Sequence, residues 1–258
     1  MAFAERFGAV RVSDLEQGGS LRVMFPRPEP GEPLCAALAN IGGGVAGGDE
    51  LAISAHWREG AEAVVTSQAA EKVYRAVDHV PARIETRLTV AAGARALWLP
   101  QETIVFEGAR LERGLDAELA EDSSLIACES LVFGRTARGE RVETGRVFDR
   151  WRVRVGGRLV YADALELDGA VAATLDARAV GDGAVAVASL LMVAPDAEAR
   201  LGPLRAALAP AEVEWGASAF DGCVAARFVA RSALALRRAL GSAVTSLSGR
   251  RPPRLFAF

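Results

Sequence analysis

Gly42-Gly43-Gly44-Val45-Ala46-Gly47 fits the G-x-G-x-x-G spacing of a dinucleotide-binding loop. That chemistry needs a strand before the glycines and a helix after them, so that the helix N-terminus meets the pyrophosphate. Here the next residues, Leu51 to Trp57, alternate as a strand does, and no dinucleotide site is expected. No Gly-Lys-Ser/Thr triplet occurs, which excludes a Walker-type phosphate loop. Glu102 and Glu107 suggest a glycosidase-like carboxylate pair. Their odd separation puts them on opposite faces of one strand, so a strand-edge charge and a turn residue are the simpler expectation. The alternative function kept open on this pair is a β-solenoid enzyme acting on polysaccharide, with one of the two as acid. The chain holds only His56 and His79, and neither neighbours a G-x-S-x-G nucleophile motif, so a histidine-based triad is not expected. It also lacks C-x-x-C and H-x-H spacing. A tight transition-metal site is therefore not expected, while weak binding by carboxylates and carbonyls stays open.

These residues sit in a 258-residue chain that is 51% apolar and 24% charged, enough for a sizeable core. A net charge of −3 argues against a nucleic-acid or anionic-lipid partner. The longest uncharged apolar run, Gly183 to Pro195, is too short to span a bilayer. Glu5, Arg6 and Arg11 interrupt the apolar stretch that a secretory leader requires. Cys35, Cys128 and Cys223 are odd in number and far apart, which fits a reducing compartment, and a cytoplasmic location is expected. Lys72 is the only lysine among 30 basic residues, which suggests a fixed ion pair.

The elements that position these groups read as strands from about residue 50 to 195. Ile84, Leu88 and Val90 alternate with Arg83, Glu85 and Arg87; Trp151, Val153 and Val155 alternate with Arg150, Arg152 and Arg154. Gly156-Gly157, between two such runs, predicts a two-residue hairpin turn. Many short strands predict a mainly β sandwich, barrel or stack, although no fixed repeat is visible. Leu201, Leu204 and Leu208 predict a helix with Pro203 in its first turn and Pro210 as its stop. Val229, Ala233, Leu236 and Leu240 predict a second helix ending at Gly241, with Arg227, Arg231 and Arg238 on its other side as a partner-binding face. The organisation expected is one domain: a β body over 1–195, two helices over 196–245 and a tail over 246–258. The apolar end of the tail, Leu255-Phe256-Ala257-Phe258, either packs back or meets a partner.

Four ordered blocks resemble the urease accessory protein UreD (UreH) family. Gly43-Gly44-Val45-Ala46-Gly47-Gly48-Asp49-Glu50-Leu51 is similar to its glycine-rich GG…GGD-x-L stretch. Thr66-Ser67-Gln68-Ala69-Ala70-Glu71-Lys72-Val73-Tyr74-Arg75 resembles its TTQAATKVYR run, and Leu97 to Leu111 its LPQETIVFDGARL run. Gly134 to Glu140 resembles GR-x-A-x-GE. Ser67 and Glu71 stand where threonines are usual, and Arg138 where methionine is common. The approach from Cys35 to Ile41 lacks the family's His-Pro, which removes a histidine from any nickel role there.

The resemblance implies a non-enzymatic maturation factor with an elongated, β-helix-like body and two C-terminal helices. It implies binding to UreF, which recruits the GTPase UreG, and docking of the assembly on urease apoprotein. It also implies an internal, water-filled passage for nickel, with no tightly bound cofactor and with GTP met only through the partner. By resemblance, Asp49, Glu140 and Glu166 are candidate groups along that passage. Gln68, Lys72, Tyr74, Arg75, Gln101, Glu102 and Arg135 belong to signature blocks and are assigned to the core or a partner face. A conduit should hold Ni²⁺ weakly at each stop, because a thiolate–imidazole trap would retain it.

Overall fold

The structure, a computed structural model, describes residues 1–29 and 31–256. The chain opens with β1 (Ala2–Arg6), β2 (Ala9–Asp14) and β3 (Leu21–Met24). It continues through β4 (Leu34–Asn40), β5 (Glu50–Trp57), β6 (Glu62–Ser67), β7 (Glu71–Val73), β8 (Ala82–Val90) and β9 (Arg95–Leu99). β10 (Thr103–Val105), β11 (Arg110–Leu119), β12 (Ser124–Phe133), β13 (Thr144–Val155) and β14 (Arg158–Ala170) follow. The last part contains α1 (Val171–Asp176), β15 (Ala186–Val193), α2 (Leu201–Leu208), β16 (Glu214–Phe220), β17 (Cys223–Ala230) and α3 (Ala233–Ser248).

Two sheets face each other. One runs β14-β13-β11-β8-β5-β1-β2, the other β16-β17-β15-β12-β9-β6-β4-β3. From β4 to β13 the long strands alternate between the sheets. Parallel neighbours such as β5 and β8, or β6 and β9, therefore lie one full coil apart. Parallel strands usually need a helical crossover; here the crossover is a strand of the opposite sheet. The result is the β-helix-like stack that the family resemblance implied, one of the three arrangements the period-two pattern left open. β7 and β10 form a small parallel ladder that joins the second sheet through β12. Gly156 and Gly157 turn the chain between β13 and β14 with φ of +55° and +78°, as the hairpin reading requires.

The C-terminal region differs from expectation. A β-hairpin, β16–β17, separates α2 from the last helix, and Arg227 and Val229 lie on β17, not on a helix. The Asp221-Gly222 pair supplies the turn, and Val224, Ala226, Phe228 and Ala230 form with period two the buried set that packs under the helices. The helix-like spacing of Val229 with Ala233 straddles the Ser232 cap, whose Oγ accepts the Ala235 N–H at 3.3 Å. α3 also passes Gly241 and ends at Gly249, left-handed at φ +71°. α1 is a further departure, a short helix within the stretch read as entirely β, with Val171, Ala172 and Leu175 buried. Pro210 does follow α2, and Leu204 and Leu208 are buried as expected. In the tail, Phe256 is buried against the body; the expectation for Ala257 and Phe258 lies outside the described residues.

Three apolar clusters hold the fold. Between the sheets, one gathers Phe3, Trp57, Leu88, Leu115, Leu125 and Val153. Another gathers Val73, Leu111, Leu131, Phe133, Val147 and Leu167. The third lies on the outer face of the second sheet, where Leu190 and Phe228 meet Leu204, Leu208, Leu236 and Leu240 of α2 and α3. β12 is therefore buried on both faces, which explains why apolar residues fill consecutive positions on either side of Glu129-Ser130. Leu115 is fully buried and Leu234 exposed. Leu115→Ala is expected to cost about 2–5 kcal/mol of unfolding free energy in urea titrations, and Leu234→Ala to stay within about 0.5 kcal/mol.

Candidate functional site

Inward residues of β11 follow one another as Leu111, Arg113, Leu115, and those of β13 as Val147, Asp149, Trp151. Arg113 and Asp149 are paired across the two strands. From the opposite sheet, β12 contributes Glu129, between Ala127 and Leu131. Three charged groups thus form a polar rung that separates the two apolar clusters between the sheets. Arg113 is 6% exposed, Glu129 4% and Asp149 8%.

The hydrogen bonds are unequal. Arg113 donates to Asp149 from Nε at 3.1 Å and from Nη2 at 2.5 Å, and to Thr103 Oγ1 from Nη1 at 3.2 Å. Glu129 Oε1 accepts the Trp98 indole N–H at 2.8 Å. Glu129 Oε2 accepts no hydrogen bond and meets Arg113 Nε only at 3.3 Å. The buried Trp151 indole N–H lies beside the same carboxylate without closing a bond. One guanidinium faces two carboxylates, so the rung is short of positive charge. Burial pushes the Glu129 carboxyl above the ordinary range, Asp149 adds to that, and Arg113 opposes it. Burial by itself would lower the Arg113 value, but Asp149 and Glu129 hold the guanidinium firmly charged.

Two cavities share this rung as part of their lining. One, of about 120 Å³, is lined by Asn40, Gln68, Lys72 and Gln101 and reaches Arg113 and Glu129. A second, of about 190 Å³, starts from the same Arg113 and Glu129 and runs past Asp149, Trp151 and Ser189 to Asp163 and Arg227. Each has room for several waters. A surface depression of about 460 Å³, bordered by Asp49 and Glu50, shares Leu21 and Leu51 with the first cavity.

The signature blocks gather around the first cavity. Val45 bridges to Val73, β7 pairs with β10, and Arg75 bridges to Ala109. Gly44 has φ +150°, and a Cβ there would meet the Tyr74 ring and lie 2.7 Å from the Lys72 carbonyl oxygen. The glycines thus allow close backbone packing, and β5 follows them rather than a helix. Tyr74 donates its hydroxyl to the Gly43 carbonyl at 3.0 Å and sets its ring edge-on to Phe106. Gln101 is buried, and its N–H donates to Ser67 Oγ at 2.8 Å. Gln68 and Lys72 line the cavity. The expected Lys72 ion pair is absent: among the described residues no carboxylate comes within salt-bridge distance, because neighbouring Glu71 turns to Asn40 Nδ2 at 3.1 Å. Burial raises the Glu71 carboxyl above its usual value, against its hydrogen bonds from the Lys72 N–H and Asn40.

The expected carboxylates lie apart from one another. Asp49 Oδ2 accepts the Ala46 N–H at 2.8 Å and closes a turn, at the rim of the surface depression. Glu140 forms a two-pronged pair with Arg135, whose guanidinium lies 4.6 Å over the Phe106 ring. Glu166 is exposed on the outer face of β14, 3.8 Å from Arg146. Glu102 is paired with Arg237 of α3, beside a gap of only about 10 Å³. Glu107 accepts the Glu143 N–H at 2.6 Å and the Thr144 hydroxyl at 2.8 Å. Both acids are thus engaged by partners, and the gap beside Glu102 is too small for a sugar. The arginines read as one helical face also divide: Arg227 on β17 pairs with Asp163, Arg231 precedes α3 and holds Asp182 at 2.5 Å, and only Arg238 belongs to the helix.

Glu129, Asp149 and Arg113 were not singled out by the sequence reading. The signal available was parity: extending the Trp151, Val153, Val155 face back by two puts Asp149 inside, and Leu111, Leu115 puts Arg113 inside. No comparable signal marks Glu129, because β12 is buried on both sides. Among the described residues, no three His, Cys, Asp or Glu side chains gather as a metal cage.

A family profile described as UreD urease accessory protein matches residues 1–255. The Urease accessory protein UreD of Methylobacterium sp. (strain 4-46) is 48% identical over 254 residues, spanning 96% of this chain and 89% of that one. Its namesake from Azorhizobium caulinodans is 45% identical over 250 residues, or 97% and 92% of the two chains. That of Rhodopseudomonas palustris (strain BisB18) is 45% identical over 249 residues, or 96% and 89%.

Hydrogen bonding from Arg135, against a smaller effect of burial, holds the Glu140 carboxyl down at about 2. A depressed native value stabilises the fold above the ordinary carboxylate range and loses that contribution as pH falls toward the native value. Glu140→Gln should therefore lower the urea midpoint near neutral pH. The difference from the parent should shrink as pH drops from about 4.5 toward about 2.

Proposed function

The chain belongs to the UreD urease accessory protein family, and from that premise we propose that it serves urease maturation by giving nickel a protected interior route to the apoenzyme. The observation that carries this reading is a series of neighbouring openings that share lining residues. The surface depression at Asp49 shares lining with the first cavity, and that cavity shares Arg113 and Glu129 with the second. Asp49 collects the ion at one mouth, Glu129 and Asp149 receive it at the rung, and Asp163 beside Arg227 faces it at the other mouth. Glu140 and Glu166, on the outside, steer cations toward the body.

Carboxylates and waters suit such a route, because oxygen ligands at low coordination exchange nickel readily while thiolates and imidazoles retain it. The three cysteines are free and buried, and burial pushes Cys35 and Cys223 up to about 11 and Cys128 higher still. They stay thiols and do not compete for the ion. Nickel is cargo here, and the protein keeps no cofactor of its own. The chain carries no phosphate loop, so GTP enters through a UreG-type partner, with a UreF-type protein and urease apoprotein completing the complex. Arg238, exposed on α3, is the member of the arginine set placed for such a contact. No helix among the described residues is long and apolar enough to cross a membrane. We place the work in the cytoplasm, where apo-urease and a GTPase meet.

Reconstitution tests the proposal: apo-urease, nickel, GTP and the partner proteins should give little active urease when this chain is omitted. Ser189 lines the second cavity opposite Glu129. Ser189→Phe should preserve the complex on gel filtration and reduce nickel loading severalfold, and Asp49→Ala should slow loading less severely. Full loading by Ser189→Phe would leave a scaffold that conducts no metal.

A further inference from the structure

Arg113 lines both cavities, so on the interior route a divalent cation moving from one to the other passes it. A permanent positive charge on a cation route is unexpected until its bonds are compared. Two hydrogen bonds tie the guanidinium to Asp149 and one ties it to Thr103, while its approach to Glu129 is a single 3.3 Å contact. Glu129, which lines both cavities, is fixed through Oε1 by Trp98, leaving Oε2 buried and without a hydrogen-bond donor. Resting on the interior route proposed above, we propose that Arg113 is a tethered counter-cation that keeps this rung a transit station: the passing ion touches Glu129 Oε2 while Arg113 retains Asp149.

The charge arithmetic gives the reason. Two buried carboxylates with no counter-charge would grip a divalent ion together and release it slowly. They would also be costly to bury. A guanidinium does not lose its proton under any physiological condition, so it neutralises one carboxylate permanently. The remaining single negative charge attracts a dication without enclosing it. A lysine in the same place could shed its proton as the ion arrives and yield both carboxylates. The planar fork matters too, because it holds Asp149 by two bonds and lets go of Glu129 by breaking one contact. Thr103 supplies a third anchor from β10, whose preceding residue Glu102 is bound to Arg237 of α3. The tether is thus fixed to the helix layer on the far side of the second sheet.

The test uses the full chain and Ni²⁺ alone. Arg113→Met should bind one Ni²⁺ at least about tenfold more tightly than the parent in equilibrium dialysis and release it more slowly to a chelator. Adding Glu129→Gln to Arg113→Met should abolish the gain. A folded Arg113→Met that binds no more tightly than the parent overturns the proposal, as does a gain that survives Glu129→Gln. Should Arg113→Met fail to fold, Asp149→Asn decides. It leaves one guanidinium to one carboxylate, so Arg113 closes on Glu129; millimolar Ni²⁺ should quench the Trp98 and Trp151 fluorescence of the parent and leave that of Asp149→Asn unchanged. Quenching equal to the parent overturns the proposal. The two readings separate cleanly. Normal loading by Ser189→Phe together with a tightened Arg113→Met removes the route and keeps the counter-cation. Blocked loading with no tightening does the reverse.

Discussion

A guanidinium and two carboxylates sealed between β-sheets cannot be left to solvent, so every strand around Arg113, Glu129 and Asp149 has to hold them in register. Removing one partner would leave a buried charge uncompensated, at a cost of about 3–5 kcal/mol in comparable cases. The arrangement follows from the winding of the chain. Because parallel strands are stacked one coil apart, Arg113 and Asp149 arrive side by side from β11 and β13. Glu129 reaches them from β12 across the gap between the sheets. The apolar clusters on either side of this rung supply the packing that the rung itself does not.

The recurring sequence blocks take their meaning from the same constraint. Glycine at 44 lets the β4–β5 loop press against Lys72 and Tyr74, and the β7–β10 ladder then closes one wall of the first cavity. Thr103 on that ladder is also an anchor for Arg113. Lys72, with no carboxylate at salt-bridge distance among the described residues, adds positive charge to the wall near Glu71. Behind the second sheet, α2 and α3 cover a separate apolar face, and Arg237 fastens α3 to Glu102 at the edge of β10.

Membership of the UreD family sets the biological frame, and the interior chemistry is compatible with it in a specific way. The anionic and neutral polar groups along the openings are carboxylates, amides and hydroxyls, set beside the cations Lys72, Arg113 and Arg227; such oxygens interact with a hard or borderline cation but do not enclose it. The cysteines are buried as thiols, away from such work. The pairing of Glu102 with Arg237, and of Glu107 with backbone N–H groups, shows two acids used for architecture.

Period-two alternation in β8 and β13, the paired glycines at 156 and 157, and the leucine spacing of α2 determined the mainly β body, a hairpin and a late helix. These features are local, since side-chain parity and turn geometry are written within a few residues. The four ordered blocks also pointed to the family without any coordinates. Parity puts Asp149 and Arg113 on the apolar face of their strands, but only tertiary structure decided that they are buried and meet, because it takes the opposite sheet to cover them and bring Glu129 to them. It also decided that Arg227 belongs to a strand: the Asp221-Gly222 turn and the pairing with β15 outweigh a helical spacing that continues only by chance into α3. Glu129 was least legible, since a strand buried on both faces has no alternation to break, and its role depends on partners 16 and 20 residues away in sequence.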